Sequence, residues 1–217
     1  MSRISEKGFV NVHYLTAAGL SQEMLVEGVK YVHSILDTID VTLLDRGAFR
    51  LANMMELANF STFIGNLLGS GIAEASKGIF HRNGPHKYPD LLSNESTDKN
   101  VEIKVALENN KPKGHLAKPG YYLTCRYVLC DAEGLYIHGQ RGDVAYIWEL
   151  RFGKLEVSDF NTSNTEGDSG KTAVVNAQGM RKLQIIYTDL NRLPLSKRGK
   201  TIKEYHQLYN PRLDMIE

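Results

Sequence analysis

Cysteine is scarce in this chain of 217 residues, which has two, Cys125 and Cys130. Both lie in the apolar run YYLTCRYVLC, five residues apart, so in a strand they point to opposite faces, which argues against a bond between them. No CxxC or Cys/His ligand spacing occurs, and that argues against structural zinc. Long hydrophobic runs are missing too. The stretch MSRISEKGFVNVHYL holds no long apolar segment, and nothing later approaches a membrane span, so the expectation is a cytoplasmic protein. Nor is there an excess of charge of one sign. The 26 Lys and Arg against 25 Asp and Glu give a net charge of +1, hence no global pull toward nucleic acid. Any such surface must come from locally segregated charge. Internal repeats and low-complexity tracts are absent. The lone Trp148, in VAYIWEL, and the aromatics of YYLTCRY read as core or sheet-face residues and are assigned no chemistry.

What is present suits one domain spanning 1–217, with 42% hydrophobic residues to fill a core. From 20 to 40, Met24, Val26, Val29, Val32, Ile35 and Leu36 recur at helical spacing, with Ser21 placed to cap the start. A second helical region from 43 to about 80 is rich in Ala, Leu and Met. Gly65, Gly69 and Gly71 predict that it breaks into two or three helices. After HRNGPHKYP the character changes to β-rich runs at 88–93, 101–107, 120–130, 143–152 and 182–188. Helices first, then a sheet over about 86–190, then a short basic C-terminal segment suggest an α/β or α+β domain with a mixed sheet.

Within the sheet region, KYPDLLSNESTDKNVEIKV (87–105) carries the densest chemistry. Strand side chains alternate, so Glu102 and Lys104 share one face and Val101, Ile103 and Val105 the other. The SNESTDKN turn would return Asp90 to the side of Glu102. Two carboxylates then converge with an ammonium beside them. Such a pair suits a hard cation such as magnesium, which takes one or two carboxylates together with water and phosphate. A lysine there can stabilise charge on a phosphate or orient a nucleophile. The competing reading is a pair of strands carrying charges on a wet face.

Pro89-Asp90, eleven intervening residues and Glu102-Ile103-Lys104 resemble the motif of the PD-(D/E)XK nuclease superfamily, chiefly its type II restriction endonucleases. The resemblance implies a restriction-endonuclease-like α/β fold, a mixed β-sheet flanked by helices. It also implies a magnesium-dependent endonuclease cleaving double-stranded DNA at a short palindrome, which a two-fold homodimer reads economically. Asp90 and Glu102 would hold the metal with the Ile103 carbonyl, and Lys104 would serve the attacking water and the scissile phosphate. In this superfamily a preceding helix often adds another carboxylate. Glu74, in LLGSGIAEASKGIF, is preferred for it, with Glu56 in LANMMELANF as the alternative. A DNA-repair or junction-resolving nuclease of the same superfamily, and a DNA-binding module without activity, are the other readings.

Three basic stretches are candidates for DNA contact. NNKPKGHLAKPGYY brings Lys111, Lys113, His115 and Lys118 together without an acid, and Gly114 would allow close approach of the backbone. DSGKTAVVNAQGMRK supplies Lys171, Thr172, Asn176, Gln178, Arg181 and Lys182, side chains of the kinds that read base edges and phosphates. LSKRGKTIK (195–203) holds four cations and no acid, as backbone contacts require. Two resemblances are rejected. GDSGKT mimics the end of a phosphate-binding loop, but the first glycine of that pattern would fall at Thr165. HRNGPH reads as a loop rather than a histidine metal site.

Overall fold

Ser21 starts the first helix as its sequence predicts, its hydroxyl accepting a hydrogen bond from the Met24 amide at 3.2 Å. The structure, a computed structural model, describes residues 3–84, 87–114, 116–163 and 172–194. Helix α1 (Gln22–Asp45) runs five residues beyond the predicted end and buries Met24, Val26, Val29, Val32 and Leu36. A short α2 (Leu51–Met54) precedes α3 (Leu57–Ala75).

Helix α3 corrects the reading of its glycines: it passes unbroken through Gly65, Gly69 and Gly71. Their role is close approach. A Cβ at Gly71 would come 2.6 Å from Tyr31 of α1, and one at Gly65 would come 3.2 Å from Val105. Each glycine costs a helix about 1 kcal/mol relative to alanine, a cost offset where the backbone packs directly on α1 and on the sheet.

The strands are β1 (Phe80–Arg82), β2 (Leu91–Ser93), β3 (Val101–Leu107), β4 (Lys113–Gly114), β5 (Gly120–Cys130), β6 (Val144–Leu155), β7 (Phe160–Ser163), β8 (Thr172–Val175) and β9 (Gln184–Thr188), with α4 (Ala177–Lys182) before the last. Six of them form a mixed sheet in the order β1-β2-β3-β5-β6-β9, in which β3 and β5 run parallel and the other neighbours antiparallel. The coarse expectation of a mixed sheet with flanking helices is met. Helices α1 and α3 pack together, with α3 over β3, and their apolar faces meet the sheet residues Ile103, Leu123, Cys125, Ile147 and Leu150 in the largest core cluster. Cys130 belongs to a different cluster, with Val128 and Trp148, and both cysteines are free.

On the face of the sheet away from α3, a second sheet of three strands, β4-β8-β7, was not foreseen from the sequence. With α4 it adds Val175 and Leu183 to a cluster around Tyr122 and Leu155. Lys113 pairs with Val174 and Gly114 with Ala173. The two loops that the sequence marks as separate basic surfaces are therefore hydrogen-bonded neighbours. Among the described residues no helix is long and apolar enough to cross a membrane.

Candidate functional site

The hairpin between β2 and β3 sets the site. Leu91 pairs with Val101, and the intervening turn is closed by a single 3-10 turn, Thr97–Lys99, capped by the Ser96 side chain. This register places Asp90, one residue before β2, beside the middle of β3. Its Oδ2 accepts a hydrogen bond from the Ile103 amide at 2.8 Å. Ile103 and Val105 face α3, where they touch the positions of Gly65 and Gly69. Glu102 and Lys104 occupy the opposite face, as strand alternation requires.

That face is not wet. Glu102 is 7% exposed, and its Oε1 pairs with Lys104 Nζ. Its Oε2 is buried with no hydrogen-bond partner. Burial raises the Glu102 carboxyl to about 7; the Lys104 ammonium opposes that rise and the nearby charge of Asp90 adds to it. A buried carboxylate oxygen without a donor is costly. That feature, on one of two neighbouring carboxylates, fits a divalent cation held by hard oxygen donors. Among the described residues no three or more His, Cys, Asp or Glu side chains gather around one point, so the protein would supply two carboxylates and, at most, backbone oxygen.

Lys104 is enclosed from above. A Cβ at Gly114 would lie 2.7 Å from its Cε and 2.9 Å from its Nζ, so β4 crosses directly over the lysine. With glycine here the lysine keeps this position, and the contact joins the second sheet to the site. In the parallel register Glu102 neighbours Tyr122 and Lys104 neighbours Thr124. Tyr122 donates from its hydroxyl to the Lys118 carbonyl at 2.7 Å, and Tyr88 donates to the Pro119 carbonyl at 2.9 Å. The Lys118 ammonium stands 4.2 Å from the centre of the Tyr88 ring. Burial is the main cause that raises the hydroxyl pKa of both tyrosines, and the charge of Glu102 adds to it. The segment after the basic loop is thus clamped beside the carboxylates.

Further along the same face, Glu149, 1% exposed, accepts from Arg126 at Oε1 and from Arg151 at Oε2, each at 3.0 Å. β-Bulges flank this ion triad, between Arg126 and Tyr127 and between Leu150 and Arg151. The sequence reading missed the triad. Its only local trace is one charged residue in CRY and two in WELRF, within strongly apolar strands, where burial makes them expensive unless the charges are paired.

Neither candidate for the additional acid joins the site. Glu74 is on the exposed side of α3, lining a surface hollow with Glu27, Lys30, Tyr31 and Ser34 of α1. Glu56 is the exposed N-cap residue of α3 and makes no capping bond. Helical periodicity explains Glu74. The positions of α3 that meet the sheet are those of Gly65 and Gly69, and Glu74 follows Gly69 by five residues, well off that face. The residue that does reach Asp90 is Arg82 of β1, whose Nη1 lies 3.9 Å from Asp90 Oδ1.

Of the expected DNA contacts, Lys111 and Lys113 are exposed and Lys118 is partly buried against Tyr88. Thr172 begins β8. His115, Lys171 and the 195–203 run lie outside the described residues. Asn176 starts α4 as its N-cap residue. Its Oδ1 accepts from the Gly179 amide and its Nδ2 donates to the Ser158 carbonyl, both at 2.9 Å, so the amide caps α4 and is engaged at both ends. Gln178 and Arg181 are exposed on α4, whereas Lys182 is tied to Asp159 at 2.7 Å. HRNGPH is partly strand, since β1 includes His81 and Arg82.

No protein-family model matches this chain, and no curated protein matches it.

Proposed function

We propose that this chain is a magnesium-dependent endonuclease with a restriction-endonuclease-like fold, which cleaves double-stranded DNA at a short palindrome as a homodimer. The observation that carries the reading is the convergence of Asp90, Glu102 and Lys104 around Ile103 of β3, with a buried Glu102 oxygen left unpaired.

Asp90 and Glu102 would hold the cation, with the Ile103 carbonyl available as a further oxygen. Magnesium, when bound, supplies Lewis acidity that polarises a phosphoryl oxygen and acidifies a water molecule. Asp90 is oriented for this role by the Ile103 amide. Glu102 resists ionisation where it is buried, so a neighbouring dication favours its charged form and is favoured by it in turn. Lys104, held between Glu102 and the Gly114 backbone, has its ammonium beside the point where phosphate charge would develop. The β4–β8 pairing supports the DNA-binding part of the reading, because it sets Lys113 in the strand that crosses that ammonium, two residues after the exposed Lys111.

The test is incubation of the protein with a mixed-sequence plasmid and magnesium, followed by sequencing of the fragment ends. Ends sharing one short palindrome are the expected result. Cutting confined to branched or mismatched DNA would shift the reading to a repair or junction nuclease. No magnesium-dependent cutting of any DNA would refute it.

A further inference from the structure

The site has a fourth charged member that neither the motif nor its spacing indicates. Arg82 reaches Asp90 from the side of α3, the face of β3 opposite Glu102 and Lys104. Its Nη1 lies 3.9 Å from Asp90 Oδ1, a charge contact longer than a hydrogen bond, and its Nη2 donates to Asn66 Oδ1 at 2.9 Å. Nη1 is buried and has no hydrogen-bond partner. The guanidinium fits there because α3 has no side chain in its path. A Cβ at Gly69 would stand 2.1 Å from Nη1 and 3.0 Å from Cζ, overlaps that an alanine could not accommodate without displacing the arginine.

We infer that Arg82 is a positioning residue for the cation-binding carboxylate: it holds Asp90 in place from behind, while the Ile103 amide fixes it from the strand. This rests on the metal-binding reading above. The four charges alternate, Arg82–Asp90–Glu102–Lys104, so each carboxylate has its own cation. Without Arg82, Asp90 would keep one hydrogen bond and would face only the like charge of Glu102. Groups that orient a ligating carboxylate typically contribute 10- to 100-fold to metal affinity. Arg82 touches neither a metal nor a phosphate in this role, and acts through Asp90. α3 provides the seat, with Asn66 as tether and Gly69 as gap.

The experiment titrates the full chain with manganese alone, without DNA, by isothermal calorimetry. Arg82→Gln removes the charge, whereas Gly69→Ala leaves every charge in place and displaces the arginine. Both should raise the manganese dissociation constant about tenfold or more, and Arg82→Lys, which restores the charge, should recover part of the loss. Circular dichroism and urea midpoints establish that the variants are folded. Gly69→Ala serves if Arg82→Gln does not fold, and the converse. Asp90→Asn separates the two levels of the argument. If the wild type binds manganese, Asp90→Asn abolishes binding and the Arg82 and Gly69 variants bind as the wild type does, the positioning role is overturned and the metal site stands. Tighter binding by Arg82→Gln would also overturn it, since Arg82 would then compete with the cation. Absence of binding by the wild type would overturn both.

Discussion

Replacing Glu102 by glutamine should change how the stability of this protein depends on pH, with a sign that the site fixes. Burial, reinforced by Asp90, holds the Glu102 carboxyl at about 7 in the folded chain, against an ordinary value of 4.5. Between those values the folded protein keeps a proton that the unfolded chain has released, so stability falls as pH rises. His33 works in the opposite direction. Its burial, and the charges of Arg3 and Arg192, depress its pKa to about 3 from 6.5, so stability falls as pH drops through that range. Each group contributes a slope of up to about 1.4 kcal/mol per pH unit. From pH 4.5 to 6.5 the two oppose each other, and the wild type loses the slope that either would give alone. Glu102→Gln removes one of them and leaves His33. Its urea-unfolding free energy, relative to wild type, should therefore rise by on the order of 3 kcal/mol from pH 4.5 to 8. A difference that does not vary with pH would refute the account of a carboxyl held reluctant to ionise.

Glu149→Ala should remove the carboxylate, itself 1% exposed, that Arg126 and Arg151 share and cost about 3–5 kcal/mol, read as a lower urea midpoint; a change below about 1 kcal/mol would show the triad to be dispensable. Replacing Lys111, Lys113 and Lys118 together should weaken binding to all duplexes alike and reduce the slope of log affinity against log salt by about 3 if each neutralises a phosphate; an unchanged slope would remove the loop from the interface. Asn176→Ala should cost about 1 kcal/mol of stability through the lost cap of α4 while leaving the cleavage sites unchanged. Gln178→Ala should alter which sequences are cut, and identical cleavage patterns for Gln178→Ala and wild type would exclude α4 as the reader.

The elements legible in the sequence are those whose own side chains state their environment. Helix α1 announces itself through a 3.6-residue apolar period and a serine cap. Strands β3, β5 and β6 are runs long and apolar enough to be read alone, and the Asp90–Glu102–Lys104 convergence follows from strand alternation plus one turn. Of the strands of two to four residues only β2, inside the 88–93 run, was legible. β4 is Lys113–Gly114 inside a loop of lysine, proline and glycine, and its partner lies some sixty residues on. No local apolar pattern encodes such a pairing, because the stabilising contacts exist only once the main sheet has formed. The glycines of α3 misled for a related reason. Propensity describes an isolated helix, whereas Gly69 answers to a guanidinium arriving from β1. Arg82, and the exclusion of Glu74 and Glu56, depend on which face of α3 meets the sheet. The cap by Asn176 was not legible either, because a side chain that can read an adenine can equally cap a helix, here with both ends of its amide engaged.

The central claim is that Lys104 acts on the phosphate and contributes little to affinity, and one comparison tests it: Lys104→Ala against wild type, with cleavage measured in magnesium and DNA binding in calcium. Affinity comes from many contacts spread along a duplex, whereas the ammonium acts at a single phosphate. The account predicts that cleavage is lost, that excess magnesium or manganese does not restore it, and that binding to the target duplex stays close to wild type. Near-normal cleavage by a folded Lys104→Ala protein would contradict it, and the pairing of Lys104 with Glu102 would then be a structural ion pair beneath β4.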